Sequence, residues 1–301
     1  MRVTLIGTGN MGAPMATHIA RHGSFELTLY DADRARAQAV AEQIGCRAAA
    51  DLADAARCDV CITMLPTGAI VRDVLTAADD GAFLAHAARG TVVVDMSSSE
   101  PLGTQATGRL LAARGVHMVD APVSGGVARA VDGTLAIMIG SDSEAAVERA
   151  RPVLATLGQR QFRVGRLGAG HAMKAANNFV AAASYAAVAE ALAIGERFGL
   201  EPAMMIDIMN VSTGRSFVTE VVMQEHVLTG RYATGFTLGL LAKDVGIAAA
   251  LGEELGVDAP LTRLVRERWN LARERVGDGR DHSAALLGWY GPIKLRRSAD
   301  D

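Results

Sequence analysis

Of the 30 basic residues in this 301-residue sequence, only Lys174, Lys243 and Lys294 are lysines. Where charge alone is needed the chain uses arginine. A lysine differs in being a compact amine that can be tuned to exchange its proton, which a guanidinium cannot. Lys174 lies in "GAGHAMKAANN" (168–178), with Asn177 and Asn178 three and four positions on. On a helix that spacing puts the ammonium and at least one amide on a shared face. The stretch therefore points to acid–base chemistry at Lys174. Lys243 stands in the apolar run "FTLGLLAKDVGIAAA" (236–250), where a compact charge could grip a carboxylate or a cofactor. A surface lysine paired with Asp244 is the alternative.

Two glycine-rich segments offer binding functions. In "DAPVSGGVARAVDGTL" (120–135), Ser124, Gly125 and Gly126 follow a strand; a hydroxyl beside unobstructed backbone N–H groups can cradle a carboxylate, although a bare glycine turn has the same sequence. "GTGNMG" (7–12) joins the first strand to a helix and carries Asn10 and Met11 between its glycines. Here Gly7 permits the tight turn, Gly9 lets backbone approach a pyrophosphate, and Gly12 allows close packing at a helix N-terminus that favours anions. Asp31, nineteen residues after Gly12, ends the second strand and is placed to accept both adenosine ribose hydroxyls. Its charge would repel a 2′-phosphate, so NAD is expected in preference to NADP, with Arg34 the residue that could swing toward a phosphate. At the ends of the next strands, Met64, Leu65 and Pro66 could cover the adenosine or ribose, and Ser97 or Ser98 could meet the nicotinamide half. Turn chemistry alone also explains Pro66.

The elements that must position these residues are legible as patterns. "RVTLI", "ELTLY", "VCITML", "TVVVDM", "HMVDAP" and "TLAIMIG" alternate with alanine-rich amphipathic stretches, which predicts a parallel doubly wound sheet with helices on both faces. After about residue 165 the pattern is helical throughout. The expected fold is thus an α/β Rossmann-type doubly wound sheet, then an all-α C-terminal domain, joined by a long helix over about 170–197. Domain boundaries of 1–165 for NAD binding, 166–292 for substrate binding and dimerisation, and 293–301 for a polar tail follow.

A net charge of -3 and a pI near 6.2 give no reason to expect a polyanion-binding surface. The basic run "RLVRERWNLARERV" (263–276) reads as a helix with Leu264, Trp269 and Leu271 facing the core and its charges solvated, so no nucleic-acid partner is expected. "MRVTLIG" is already strand and turn, leaving no room for a leader, and the apolar run "FVAAASYAAVA" (179–189) is shorter than a bilayer span. No membrane partner and a cytoplasmic location are expected, with Cys46, Cys58 and Cys61 reduced. Cys58 and Cys61 form a C-x-x-C without a second ligand pair, so no metal is expected.

Four blocks, "GTGNMGAPMA", "DAPVSGGVARAVDGTL", "GAGHAMKAANN" and "LAKDVGIA", with "DHSA" (281–284) as a fifth, resemble the β-hydroxyacid dehydrogenase family in order and spacing over nearly the entire chain. That family includes 3-hydroxyisobutyrate dehydrogenase and tartronate semialdehyde reductase. The resemblance implies that Lys174 is the catalytic lysine, that Asn178 orients substrate and lysine, that Ser124 and Gly125 hold the substrate carboxylate, and that Lys243 completes the pocket. It also implies reversible oxidation of a short 3-hydroxycarboxylate by hydride transfer to the nicotinamide, in a homodimer or homotetramer. "VARA" after the glycine pair and "NVSTGRSFVTE" (210–220) depart from typical members, and the substrate stays open among 3-hydroxyisobutyrate, glycerate or tartronate semialdehyde, threonate and similar acids. A dinucleotide-binding sensor without turnover is the alternative from another class; it would have no reason to keep Lys174, Asn178 and Lys243 together.

Overall fold

The structure, a computed structural model, describes residues 1–77 and 83–292. The expected polar tail, 293–301 with Lys294, lies outside the described residues. The chain divides into two compact units, Met1–Lys174 and Ala175 onward.

The first unit is built on strands β1 (Arg2–Ile6), β2 (Glu26–Tyr30), β3 (Arg47–Ala48), β4 (Val60–Thr63), β5 (Val92–Asp95), β6 (His117–Asp120), β7 (Val123–Ser124), β8 (Ala136–Ser141) and β9 (Arg160–Gly165). From one edge the order is 3-2-1-4-5-6, all parallel, the arrangement of a dinucleotide-binding sheet. Alternation along each strand feeds two cores. Val3, Leu5, Val60, Ile62, Val92 and Val94 pack on one face with Met15, Ile19 and Leu154, whereas Ile6, Cys61 and Val93 face Leu75, Phe83 and Leu111 on the other. Cys58 and Cys61 are both buried in this second core.

Beyond β6 the sheet departs from the parallel pattern. β8 runs antiparallel to β6 and to β7, in one register on either side of the Ala121–Pro122 interruption, and β9 pairs parallel with β8. Pro122 has no N–H to offer a ladder, which accounts for the break. Strand direction is not encoded in side-chain alternation, so "TLAIMIG" reads the same either way.

The second unit is helical. Its core gathers Tyr185, Leu192, Ile206, Met223, Val245, Trp269 and Trp289. Tyr185 O–H donates to Ser283 O (2.6 Å), and the indole N–H groups of Trp269 and Trp289 donate to Ala182 O (3.2 Å) and Arg268 O (2.8 Å), so each buried aromatic has its polar atom satisfied. The helix Pro260–Val276 corrects one expectation: Leu264 is 55% exposed, and the buried face is Val265, Trp269 and Ala272, spaced by four and three. Leu264 falls one position off that stripe. Residues Val218–Val227 form a π-helix.

The helix Ala169–Phe198 crosses the division between the units and is long and apolar enough to span a bilayer by length and composition, unlike its eleven-residue apolar run alone. Ala182, Tyr185, Val188, Ala189 and Leu192 of this helix are committed to the core of the second unit.

Candidate active site

The nucleotide loop follows β1 directly. Gly7 has a φ of +102°, and a side chain there would collide with the Met64 carbonyl; one at Gly12 would strike the Gly7 carbonyl. Both glycines are required by the fold. Gly9 is different, because a Cβ there would meet nothing, and the exposed loop at Gly9 and Asn10 is open above the N-terminus of the helix Gly12–Arg21. Met11 is half-buried against the first core.

Asp31 stands at the end of β2, buried, and its carboxylate is crowded with donors. Oδ2 accepts from Thr8 N–H (2.7 Å), Thr8 Oγ1–H (3.0 Å) and Arg36 Nε (3.4 Å); Oδ1 accepts from Asp33 N–H (2.9 Å) and Arg36 Nη2 (2.7 Å). Burial alone would raise the carboxyl's pKa, but the hydrogen bonds from Arg36, Thr8 and Asp33 outweigh it and hold Asp31 below the usual carboxylate range. The guanidinium that reaches Asp31 is Arg36; Asp33 caps the helix Arg34–Ile44 by accepting the Arg36 N–H, which turns residue 36 back toward the strand end.

The ends of β4 and β5 are tied together. Ser97 Oγ accepts the Leu65 N–H (2.9 Å), while Asp95 accepts from Thr63 Oγ1, Ser97 N–H and Ser99 Oγ. Ser97 is buried and holds Leu65 in place, and Ser98 and Met64 are half-buried beside it; Pro66 is exposed. Since Met64 also packs on Gly7, this pair of loops and the nucleotide loop form one surface at the carboxyl ends of the strands.

Asp120, at the end of β6, joins the two remaining motifs of this unit. Its Oδ1 accepts from Gly168 N–H (2.7 Å) and its Oδ2 from His171 N–H (2.8 Å), satisfying unpaired amides where the helix carrying Lys174 begins. The His171 ring is wholly buried, with Nδ1 2.8 Å from Thr104 Oγ1 and Nε2 3.6 Å from Asp95 Oδ2. One turn beyond His171 comes Lys174, half-buried. Four residues beyond Asp120 come Ser124, half-buried in β7, then Gly125 and Gly126, both exposed and both at positive φ.

In the second unit Asn178 is buried, and its Nδ2 donates to Asp244 Oδ2 (2.6 Å), while Asn177 lies exposed. Lys243 Nζ is 3.4 Å from Asp244 Oδ1 in an ion pair. Thus Asn178 and Lys243 meet on a single buried carboxylate. The fifth motif supports the helix that bears it: Asp281 accepts from Thr234 Oγ1, Gly235 N–H and Ser283, and Leu238 N–H donates to Arg280 O, fixing the start of the helix Leu238–Glu254.

Both units match known proteins. Residues 2–165 match the profile of the NAD binding domain of 6-phosphogluconate dehydrogenase, and residues 168–289 match that of the NAD-binding region of NADP-dependent 3-hydroxyisobutyrate dehydrogenase. The chain is 37% identical to the 2-(hydroxymethyl)glutarate dehydrogenase of Eubacterium barkeri, over 95% of this chain and 94% of that one. It is 34% identical to the 3-hydroxyisobutyrate dehydrogenase of Pseudomonas aeruginosa, over 89% and 91%. The chain belongs to the β-hydroxyacid dehydrogenase family. A solved 3-hydroxyisobutyrate dehydrogenase from Mycobacterium tuberculosis, in a structure with L-serine, superposes with a TM-score of 0.87 at 30% identity, covering 96% of this chain and 98% of that one. The protein is an NAD-dependent oxidoreductase of this family.

Sequence reasoning missed three residues of this dehydrogenase's candidate site. Asp244 read only as a partner for a surface lysine; the signal that could have found it is a carboxylate inside an otherwise apolar helical stretch. Asp120 read as part of a strand end, and no local signal marks it, because the amides it accepts, Gly168 and His171, lie far along the chain. Arg36 was passed over for the nearer Arg34.

Proposed function

We propose that this dehydrogenase reversibly oxidises a short 3-hydroxycarboxylate to its semialdehyde or oxo form, with Lys174 as the acid–base group. Bound NAD supplies the hydride acceptor, C4 of the nicotinamide. Lys174 takes the proton from the substrate hydroxyl as the carbinol carbon loses its hydride, and returns it during reduction. Ser124 and Gly125 hold the substrate carboxylate, Asn178 orients the reacting group, and Lys243 adds a positive charge. For the cofactor, the assignments are the loop Gly7, Gly9, Asn10, Met11 and Gly12 for the pyrophosphate, Asp31 for the ribose, and Met64, Leu65, Pro66, Ser97 and Ser98 along the dinucleotide. The observation that carries the reading is the Asp120 bridge, which joins the strand leading to Ser124 with the helix start leading to Lys174. A panel of 3-hydroxyacids with NAD, followed by NADH absorbance, tests it. Turnover of a 3-hydroxycarboxylate is expected; its absence across the panel, with NAD binding intact, contradicts the reading.

A second reading concerns substrate class and rests on Arg129. Its aliphatic stem fills the space above Gly125 where a Cβ would stand, beside Ser124. A guanidinium there suits a substrate with a second carboxylate, as in the name of the Eubacterium barkeri relative. If this reading holds, kcat/KM for 2-(hydroxymethyl)glutarate exceeds that for 3-hydroxyisobutyrate, and Arg129→Ala removes the difference. Equal values in the native protein would reject it.

A homodimer or homotetramer is supported by the exposed apolar side chains of the second unit, among them Val180, Ile194, Phe198, Met204 and Ile208. Light scattering giving a monomer mass would contradict this. A cytoplasmic location is supported by three free cysteines, Cys46, Cys58 and Cys61, and is checked by cell fractionation. A domain boundary at 165/166 is supported by the end of β9 at Gly165 and the start of the long helix at Ala169.

A further inference from the structure

We infer that Arg36 sets how strongly this enzyme prefers NAD to NADP, by competing with the NAD ribose for Asp31 and by offering its guanidinium to the 2′-phosphate of NADP. The inference rests on the assignment of Asp31 to the adenosine ribose. A carboxylate has about four lone-pair sites. Those of Asp31 already receive Thr8 N–H, Thr8 Oγ1–H, Asp33 N–H and two nitrogens of Arg36. Two ribose hydroxyls need acceptor sites on the same, already crowded carboxylate, so two of the present donors must leave for the count to stay as it is.

The donors are not equally free to go. Thr8 N–H and Asp33 N–H are backbone groups, fixed by the loop after β1 and by the helix cap at Asp33. Thr8 is itself buried. The Arg36 side chain is 48% exposed against 7% for Asp31, and it is the one donor on a long flexible stem. Ribose binding therefore displaces Arg36, and NAD loses affinity by the value of that charge-assisted contact.

The released guanidinium does not go far. Arg36 sits in the first turn of the helix Arg34–Ile44, whose first turn has no acidic residue, and Asp33 Oδ2 is 3.9 Å from its Nη1. A 2′-phosphate arriving beside Asp31 would meet a planar, permanently charged fork suited to bidentate contact. The same arginine cancels the carboxylate charge that would otherwise repel the phosphate. Arg36 thus acts against NAD and for NADP at once, and an aspartate at the end of β2 does not by itself make the site exclusive for NAD.

Isothermal titration of the full-length enzyme with NAD+ and with NADP+ tests this, on the native protein and on Arg36→Gln, Arg34→Gln and Asp31→Asn, with kcat/KM for each cofactor measured alongside. The native protein is expected to bind NADP+ measurably. Arg36→Gln is expected to weaken NADP+ roughly 10- to 100-fold, the range of a hydrogen bond to a charged group, and to tighten NAD+, whose ribose no longer has to displace the guanidinium; NAD+ affinity that does not rise overturns the competition. Arg34→Gln should move neither cofactor by more than about twofold, a change worth a few tenths of a kcal/mol. An unchanged NAD+/NADP+ ratio in Arg36→Gln, equal weakening of both cofactors, or NADP+ binding too weak to measure in the native protein each overturns the inference. If Asp31→Asn weakens NAD+ while Arg36→Gln changes nothing, only the role of Arg36 fails. If Asp31→Asn leaves both cofactors unaffected, the assignment of Asp31 fails as well.

Discussion

Two buried aspartates support the candidate chemistry of this enzyme, one in each compact unit, and they do so differently. Asp120 accepts backbone N–H groups from Gly168 and His171, so it fixes a main-chain segment. Asp244 meets two side chains, the Asn178 amide and the Lys243 ammonium, so it fixes functional groups directly. The same carboxylate chemistry is thus used once to build a helix start and once to aim side chains. The first kind of contact should be visible mainly in stability, the second mainly in kinetics.

The largest departure between the two should come from Asp244→Asn. The substitution keeps an acceptor for Asn178 but removes the charge opposite Lys243. Weakening the charge-assisted hydrogen bond from Asn178 together with loss of the ion pair to Lys243 predicts a fall in kcat/KM of roughly 10- to 100-fold, with Tm close to native. A kinetic loss explained entirely by a lower Tm would erase the distinction. Within the first unit, Gly9→Ala should weaken NAD binding about tenfold without moving Tm, because the added methyl clashes with nothing in the protein and only a bound pyrophosphate would feel it. Gly12→Ala, which strikes the Gly7 carbonyl, should instead fail as a folding defect. Asp120→Asn should show the complementary behaviour to Asp244→Asn. Weakening of a helix-capping carboxylate costs about 1 kcal/mol, read as a Tm lowered by about 2–4 °C, and the fall in kcat/KM should be smaller than for Asp244→Asn.

The smallest effect is a pH dependence in the second unit. Burial lowers the His282 pKa, against the opposing influence of Asp281 and of the Phe236 carbonyl. The unfolded chain therefore binds a proton at a higher pH than the folded one, and stability falls as pH drops below the free imidazole value of about 6.5. Asp281 behaves in the same direction at lower pH: burial raises its pKa, hydrogen bonds from Ser283 and Thr234 outweigh this, and the stability it contributes is lost as pH falls below the normal carboxylate range. In His282→Gln the decline in Tm between about pH 6.5 and 5 should be shallower than in the native protein. An identical slope would mean that other groups carry it.

The strand–turn–helix at 7–12 and the helix bearing Lys174 were legible because each joins residue types to a spacing that one local geometry satisfies, whereas "SGG" at 124–126 fits a bare glycine turn as well as a cradle. β1, β2, β4, β5, β6 and β8 were legible from alternation and glycine turns, whereas their order in the sheet and the two-residue β3 were not. β7 has two residues and β9, "RQFRVG", is a polar edge strand without a clean period, so neither announced itself. Asp244, Asp120 and Arg36 were missed for one physical reason: each gains its meaning from a partner distant in sequence or folded back by a helix cap, and single-residue chemistry does not reveal the partner.

The central claim is that Lys174 moves the substrate proton, and single-turnover hydride transfer in Lys174→Arg tests it most directly. With a 3-hydroxyacid that the native enzyme oxidises and with NAD saturating, the variant should still bind cofactor but transfer hydride slower by roughly 100-fold or more, the usual contribution of a positioned acid–base group, because a guanidinium keeps its proton. Hydride transfer at a near-native rate in Lys174→Arg would contradict the account.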